Sequence, residues 1–213
     1  MKVRIFEFNP VAEHTYIAYD DTKECVIIDA GCYFPEEQKQ LLNFISDNSL
    51  RVKHIINTHL HFDHVFGINL VTRKYGLGLE AHKGDEPLLS QFKEQLQMFG
   101  FPDTGEPAPR IEKYLTEDDV ISFGNQKLKI YHIPGHSLGS IVFHNEEAKC
   151  AFVGDVLFHG SVGRTDLVGG DHDQLITGIK KKLMVLPDET LIYSGHGPST
   201  TIGYERENNP FLV

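Results

Sequence analysis

The feature that most constrains this chain is His59-Leu60-His61-Phe62-Asp63-His64, four metal-capable side chains within six positions. So dense a cluster is costly to bury unless a cation organises it. It follows an apolar, β-branched run, Val52 to Asn57, so it is expected in the loop where a strand ends. Alternate side chains of an extended segment share a face, which lets His59 and His61 converge on one ion while Leu60 points away. Asp63 and His64 come after the alternation breaks, and their different direction suits a second, neighbouring ion. Gly67 then gives the backbone room to turn. The plain alternative is a polar loop whose histidines hydrogen-bond one another.

Three further segments weaken that alternative. Ile133-Pro134-Gly135-His136-Ser137, Phe152-Val153-Gly154-Asp155 and Tyr193-Ser194-Gly195-His196-Gly197 each place a His or Asp beside glycine after a short apolar run. Each reads as a strand delivering one ligand at its end, with glycine permitting a tight turn and close backbone approach. Singly, Gly-His and Gly-Asp are ordinary turn chemistry. Together with the first cluster they supply enough histidines and aspartates for two metal sites.

The pattern Thr58-His59-x-His61-x-Asp63-His64, then His136, Asp155 and His196 in that order, resembles the ligand set of the metallo-β-lactamase-fold hydrolases at every position. The resemblance covers essentially the whole chain. Within the superfamily, Pro134-Gly135-His136-Ser137-Leu138-Gly139-Ser140 and Gly160-Ser161-Val162-Gly163-Arg164-Thr165-Asp166 are most similar to the glyoxalase II (hydroxyacylglutathione hydrolase) and persulfide dioxygenase branch. The chain ends at Val213, soon after the last ligand, and so resembles a short form without the C-terminal helical region that helps glyoxalase II proper grip glutathione. The resemblance implies that His59, His61 and His136 hold a first metal, that Asp63, His64 and His196 hold a second, and that Asp155 bridges them. Zinc suits these nitrogen-rich sites, as do iron and manganese, and the ligand list does not choose among them. Two divalent ions would turn water into hydroxide near neutral pH without a serine or cysteine nucleophile, for attack on a thioester or ester carbonyl. Asp63 is expected to orient the hydroxide and take up its proton. Asp29, after Val26-Ile27-Ile28, is expected to orient a ligand-bearing loop from behind. Arg164 is a candidate clamp for a substrate carboxylate, since a planar guanidinium binds carboxylates bidentately. A structural ion pair with Asp166 is an equal reading.

Length fits one catalytic domain over residues 1–213, with room for a large core. Hydrophobic residues make up 40% and charged residues 23%, ordinary for a soluble globular chain. The first residues alternate like a strand rather than forming the apolar stretch of a signal peptide, and no run approaches a membrane span, so a cytoplasmic location without membrane contact is expected. A formal net charge of −10 opposes nucleic acid as a partner and leaves a small-molecule thioester or ester as the expected substrate. The oligomeric state is not readable. Cys25, Cys32 and Cys150 are too few and too scattered for a disulfide framework. Reduced thiols are expected, Cys25 and Cys150 in the core and Cys32 in a more exposed turn.

Periodicity and turn signals predict strands near 2–8, 14–19 and 24–30, a helix over 35–47 opened by Pro35 and Glu36-Glu37, and a strand ending at the first cluster. A helix over 66–75, a short strand over 78–81, a helix over 86–99 and a loop over 100–110 follow. Phe99 and Phe101 could give the last an apolar edge on the cleft, although a proline-stiffened connector accounts for it as well. The second half reads as strands near 119–123, 126–132, 140–144 and 150–153, a long loop over 155–170, a helix over 173–184, a strand over 190–194 and a final helix near 200–207. Two halves of strands followed by helices make a mixed α/β chain. The family resemblance sharpens this to a four-layer αβ/βα sandwich, with all proposed ligands in loops along one edge. His54 reads as a paired core residue, and His82 and His172 as surface residues.

Three functional classes remain: a binuclear thioester hydrolase, a mononuclear iron persulfide dioxygenase using His59, His136 and Asp155, and a catalytically silent metal-binding protein. The last would be marked by a broken ligand set, and the set is whole.

Overall fold

The computed structural model describes residues 1–103 and 105–213; Thr104, within the loop expected over 100–110, lies outside the described residues. Among these, two six-stranded sheets carry the fold. The first runs in sequence order: β1 (Lys2–Phe8), β2 (Glu13–Tyr19), β3 (Glu24–Ile28), β4 (Arg51–Ile56), β5 (Leu79–Ala81) and β6 (Ile111–Tyr114). β1 to β3 pair antiparallel, and β3 to β6 pair parallel. Parallel neighbours need crossovers, and helices supply them. α1 (Pro35–Asp47) joins β3 to β4, α2 (Ile68–Tyr75) joins β4 to β5, and α3 (Glu86–Ser90) and α4 (Phe92–Met98) lie between β5 and β6.

The second sheet contains β7 (Val120–Phe123), β8 (Gln126–His132), β9 (Ile141–Asn145) and β10 (Cys150–Gly154). A small hairpin follows, β11 (Leu157–Phe158) with β12 (Ser161–Val162). After α5 (His172–Lys182) the chain returns as β13 (Leu191–Ser194) and β14 (Thr200–Thr201), then closes with α6 (Ile202–Asn208). The spatial order is β14-β13-β10-β9-β8-β7, with β10 and β13 parallel and the other neighbours antiparallel.

The burial pattern explains the layering. β3 reads Cys25-Val26-Ile27-Ile28, buried throughout, as a strand covered on both faces requires. Cys25 and Ile27 point to one side, against Leu41 and Ile45 of α1 and Ile68 and Val71 of α2. Val26 and Ile28 point to the other, where with Tyr16 and Ile56 they meet Ile121, Phe123, Leu128, Phe143 and Phe152 of the second sheet. Val142, Ala151, Val153 and Ile192 then cover that sheet's far face against Leu175 and Ile179 of α5 and Ile202 of α6. The result is helix, sheet, sheet, helix, the αβ/βα sandwich that the family resemblance implied.

α1 begins where Pro35 and Glu37 put it. The Glu37 carboxylate accepts hydrogen bonds from the backbone N–H groups of Tyr33 (2.7 Å), Phe34 (3.0 Å) and Asn9 (2.8 Å), which satisfies donors the first turn leaves free. Four details differ from expectation. Residues 86–99 form two helices broken at Gln91, Ile111–Tyr114 is an edge strand, and the loop after Asp155 holds the β11–β12 hairpin. Cys32 is fully buried rather than exposed in its turn, and burial pushes its thiol up to about 12. All three cysteines are free and buried. No helix among the described residues is long and apolar enough to cross a membrane.

Candidate metal centre

β8 and β10 run the same way because both oppose β9, and β13 parallels β10, so their carboxyl ends share one edge of the second sheet. β3 and β4 end at the facing edge of the first. Beyond these ends lie Asp29, the 59–64 cluster, His136, Asp155 and His196. The cluster enters as extended backbone through His61, then tightens into a 3-10 turn over Phe62–His64, which gives Asp63 and His64 their separate direction.

Three groups of three result, His59 with His61 and His136, Asp63 with His64 and His196, and Asp29 with His59 and His64, each with ligand-capable atoms within 4.8 Å of one another, and the first two face the cleft. In the first, His61 Nδ1 lies 2.9 Å from His136 Nε2, which lies 3.3 Å from His59 Nε2. A tetrahedral ion with Zn–N distances of about 2.0–2.1 Å holds its nitrogens about 3.3–3.4 Å apart, so this spacing suits a first-row metal. In the second, His196 Nε2 is 3.2 Å and His64 Nε2 3.7 Å from Asp63 Oδ2. Asp155 stands between them. Its Oδ2 lies 3.6 Å from His136 Nε2 and 3.7 Å from His196 Nε2, while Oδ1 is 3.5 Å from His64 Nε2.

The partners of the outward ring nitrogens fix which nitrogen carries the lone pair. His136 Nδ1 meets the Arg164 carbonyl at 2.9 Å, and His196 Nδ1 meets the carbonyls of Val11 and Ala12 at 3.1 and 3.2 Å. A carbonyl only accepts, so both rings donate from Nδ1 and turn Nε2 inward as the ligand atom. His64 Nδ1 donates to Asp29 Oδ2 at 3.1 Å. Thr58 Oγ1 spends its hydrogen on Asp29 Oδ2 (2.6 Å), so it accepts from His59 Nδ1 at 3.2 Å. Inward-facing ring nitrogens and carboxylates therefore converge. His64 Nε2 and Asp155 Oδ1 are buried without a hydrogen-bond partner, the state expected of atoms built to hold a cation.

Charge distinguishes the two groups. Burial holds His59 well below the usual imidazole range and pushes His61 down to about 3, so these two rings are proton-free near neutral pH. Burial also opposes a proton on His64, but the carboxylates of Asp63 and Asp155 outweigh it and hold that ring well above the usual range. Burial works against ionised Asp63 and Asp155; His64 and His196 overcome it and keep Asp63 below, and Asp155 well below, the ordinary carboxylate range.

Two glycines are essential to the close packing. Gly154 has φ +51°, and a Cβ there would land on the Thr58 hydroxyl. A Cβ on Gly195 would fall on Asp155 Oδ1 and 2.8 Å from His64 Cε1. Asp29 itself takes φ 52°, a left-handed conformation that aspartate tolerates. Its carboxylate is occupied by Thr58 and His64 Nδ1, which leaves it behind the ligands. Arg164 lines the cleft, a cavity of about 170 Å³. Its guanidinium grips Asp166 bidentately, Nε at 2.7 Å and Nη2 at 2.8 Å, so the fork that would clamp a substrate carboxylate is engaged. Phe99 reaches the cleft, whereas Phe101 packs with Phe62 and Phe66 beneath it. His54 is half-buried and paired with Glu80 at 2.5 Å, and His82 stacks on His132 away from the centre.

Several supports carry no sequence mark. Asp85 accepts from Leu60 N (3.1 Å), Ser137 Oγ (2.8 Å) and Gly139 N (2.6 Å), so one carboxylate ties the loop of His59 and His61 to that of His136. Asn57 donates to the carbonyls of His59 (3.3 Å) and His64 (2.8 Å). Glu13 is buried 3.8 Å from His64 Nδ1. None stands in a recognisable spacing, and only the adjacency of Asn57 to the cluster hints at a role.

The sequence profile of the metallo-beta-lactamase superfamily matches residues 9–196. The chain belongs to that superfamily. It is a metallo-hydrolase of that fold, similar to the glyoxalase II-like branch. Hydroxyacylglutathione hydrolase GloC of Haemophilus influenzae is 35% identical over 213 residues, covering 100% of this chain and 98% of that protein. Among solved structures, BLEG-1 B3 metallo-beta-lactamase superposes with a TM-score of 0.90 at 34% identity, covering all of both chains. TTHA1623 in a di-iron-bound form gives 0.86 at 34% identity, covering 98% of this chain and 100% of the other. The cluster and the family point to divalent metals without selecting one.

Proposed function

We propose that this superfamily member is a binuclear thioester hydrolase of glyoxalase II type. The observation that carries the reading is the pair of three-ligand groups with Asp155 between them and ring nitrogens turned inward. His59 Nε2, His61 Nδ1 and His136 Nε2 would hold one ion, Asp63, His64 Nε2 and His196 Nε2 the other, and Asp155 both. When bound, such a pair lowers the pKa of water from about 15.7 toward 7 and polarises an acyl carbonyl.

The chain's own residues do the rest. Asp63, kept ionised by His64 and His196, orients the attacking water and takes up its proton. The acyl C–O bond forms and the C–S bond breaks, releasing a carboxylate and a thiolate whose low basicity needs no acid from the protein. The wall formed by Phe62, Phe99 and Leu167 excludes bulk water on one side. Asp29 and Asp85 hold the ligand loops in place for the reaction. Arg164 at the rim is the cation available to a polar substrate group, which must compete with Asp166. The 35% identity to a hydroxyacylglutathione hydrolase supports the thioester class.

Elemental analysis of protein purified without added metal, followed by a thioester panel with and without oxygen, tests the proposal. Two ions per chain and oxygen-independent thiol release are expected. One iron per chain with oxygen consumed on glutathione persulfide would replace the reading with the dioxygenase.

A further inference from the structure

The metal cleft continues into a second, narrower cavity of about 70 Å³, and the two share His61, Phe99 and Leu167. Leu88 and Met98 supply one wall and Val168 the other. Gln95 crosses its floor with its amide spent elsewhere, donating to the Leu88 carbonyl (2.7 Å) and accepting from Phe62 N (3.2 Å). Glu94 is the one formally charged side chain in the lining. Met98 and Val168 both line this cavity and are 70% and 69% exposed, so a ligand seated there would cover apolar surface that solvent now reaches. Phe99 is held by stacking on Phe62, ring centroids 4.8 Å apart, and Phe62 lies between His61 and Asp63 in the chain.

We propose that this groove is the acyl subsite and that the preferred substrates are thioesters of unbranched, uncharged aliphatic acids. The proposal rests on the hydrolase reading above and extends it to substrate class. An acyl carbonyl placed at the metal centre would direct its chain past His61 and Leu167 into the groove. The cavity has room for a few methylene groups, given that roughly 10–15 Å³ suffices for one water. A hydroxyl on the acyl chain would exchange water for a largely apolar lining in which Gln95 already serves Leu88 and Phe62 and Gln91 is the other amide. A carboxylate at the chain end would meet Glu94 and no cation. Each methylene buried is worth about 0.8 kcal/mol, close to a fourfold gain in kcat/KM.

The test uses metal-loaded full-length protein and acetyl, butyryl, hexanoyl and lactoyl thioesters of one carrier, N-acetylcysteamine. Specificity should climb about fourfold per methylene before the groove fills, with lactoyl below butyryl. Met98→Asp and Val168→Asp, at exposed positions that tolerate charge, should flatten the climb while metal content and melting temperature stay the same. Calorimetry with acetate, butyrate and hexanoate reads the groove without turnover. Affinity that rises with chain length and flattens in both variants supports the subsite even if no thioester is cleaved, an outcome that would remove the hydrolase reading alone. Chain-length-independent affinity alongside efficient thioester cleavage would overturn the subsite and leave the hydrolase standing.

Discussion

Asp29 Oδ2 lies 3.1 Å from His64 Nδ1, and the same carboxylate takes hydrogen bonds from the Thr58 amide (2.7 Å) and hydroxyl (2.6 Å). One side chain thus aims His64 directly and His59 through Thr58, across both metal groups. Replacing it should loosen both. Asp29→Ala is expected to weaken metal affinity about 10- to 100-fold, the range typical of partners that orient a ligand. Loss of the buried acceptor should also lower stability by on the order of 2 kcal/mol. Competition with a chelator and denaturant unfolding of the metal-free protein read the two effects separately. Unchanged metal affinity would exclude Asp29 from orienting the site.

The double variant Asp63→Ala/His64→Ala removes two of three ligands from the second group and leaves His59, His61 and His136 intact. Metal content should fall from two ions to one, with thioester hydrolysis reduced by at least about 100-fold while the fold survives. Inductively coupled plasma analysis, circular dichroism and steady-state kinetics check this. A wild-type rate with one ion bound would show that a single metal suffices.

Acid should strip the two groups in sequence. Burial leaves His59 and His61 proton-free down to about 3 for the latter, so protons compete for those two ligands only in strong acid. Against the opposing effect of burial, carboxylates raise His64 well above and His196 above 6.5, so in metal-free protein these rings hold protons that an ion must displace. As pH falls the second group loses its ion first. Dialysis at about pH 5 should leave one ion per chain. Simultaneous loss of both would contradict the assignment.

Away from the centre, Asp20 joins the turns of the two sheets. It accepts from Thr22 in its own turn and from Asn125 N (2.7 Å) in the β7–β8 turn. Burial alone would raise its pKa, but these hydrogen bonds lower it to about 2. A depressed carboxylate pKa means stability present above the unfolded value near 3.8 and lost as pH falls toward 2. Asp20→Ala should cost about 1–2 kcal/mol at neutral pH, with the deficit shrinking in acid. Urea unfolding of both proteins across that range measures it, and a pH-independent difference would refute the linkage.

What the sequence disclosed and what it hid follow from how locally each feature is determined. His59, His61, Asp63 and His64 stand within one short segment, and few residue types can hold a metal, so the pattern is legible without coordinates. Gly154 and Gly195 were legible for a related reason, because a ligand at a strand end needs the chain to turn there. Asp85 was not. Its role arises only when the folded chain sets it against Ser137 and Gly139, more than fifty residues away, and in sequence it stands in an ordinary polar turn. β6, Ile111-Glu112-Lys113-Tyr114, is largely exposed and exists because β5 pairs with it, so no alternation marked it. The break at Gln91 has neither Gly nor Pro to announce it. Cys32 is buried because the turn that carries it is covered by Gly67, a contact made across the fold.

Asp85 fastens both chain segments that deliver His59, His61 and His136, and it does so through hydrogen bonds to Leu60, Ser137 and Gly139 that use no ligand atom. Part of the entropy of bringing distant ligands together is therefore lost on folding rather than on coordination, and a chain without that carboxylate would have to recover it from the metal.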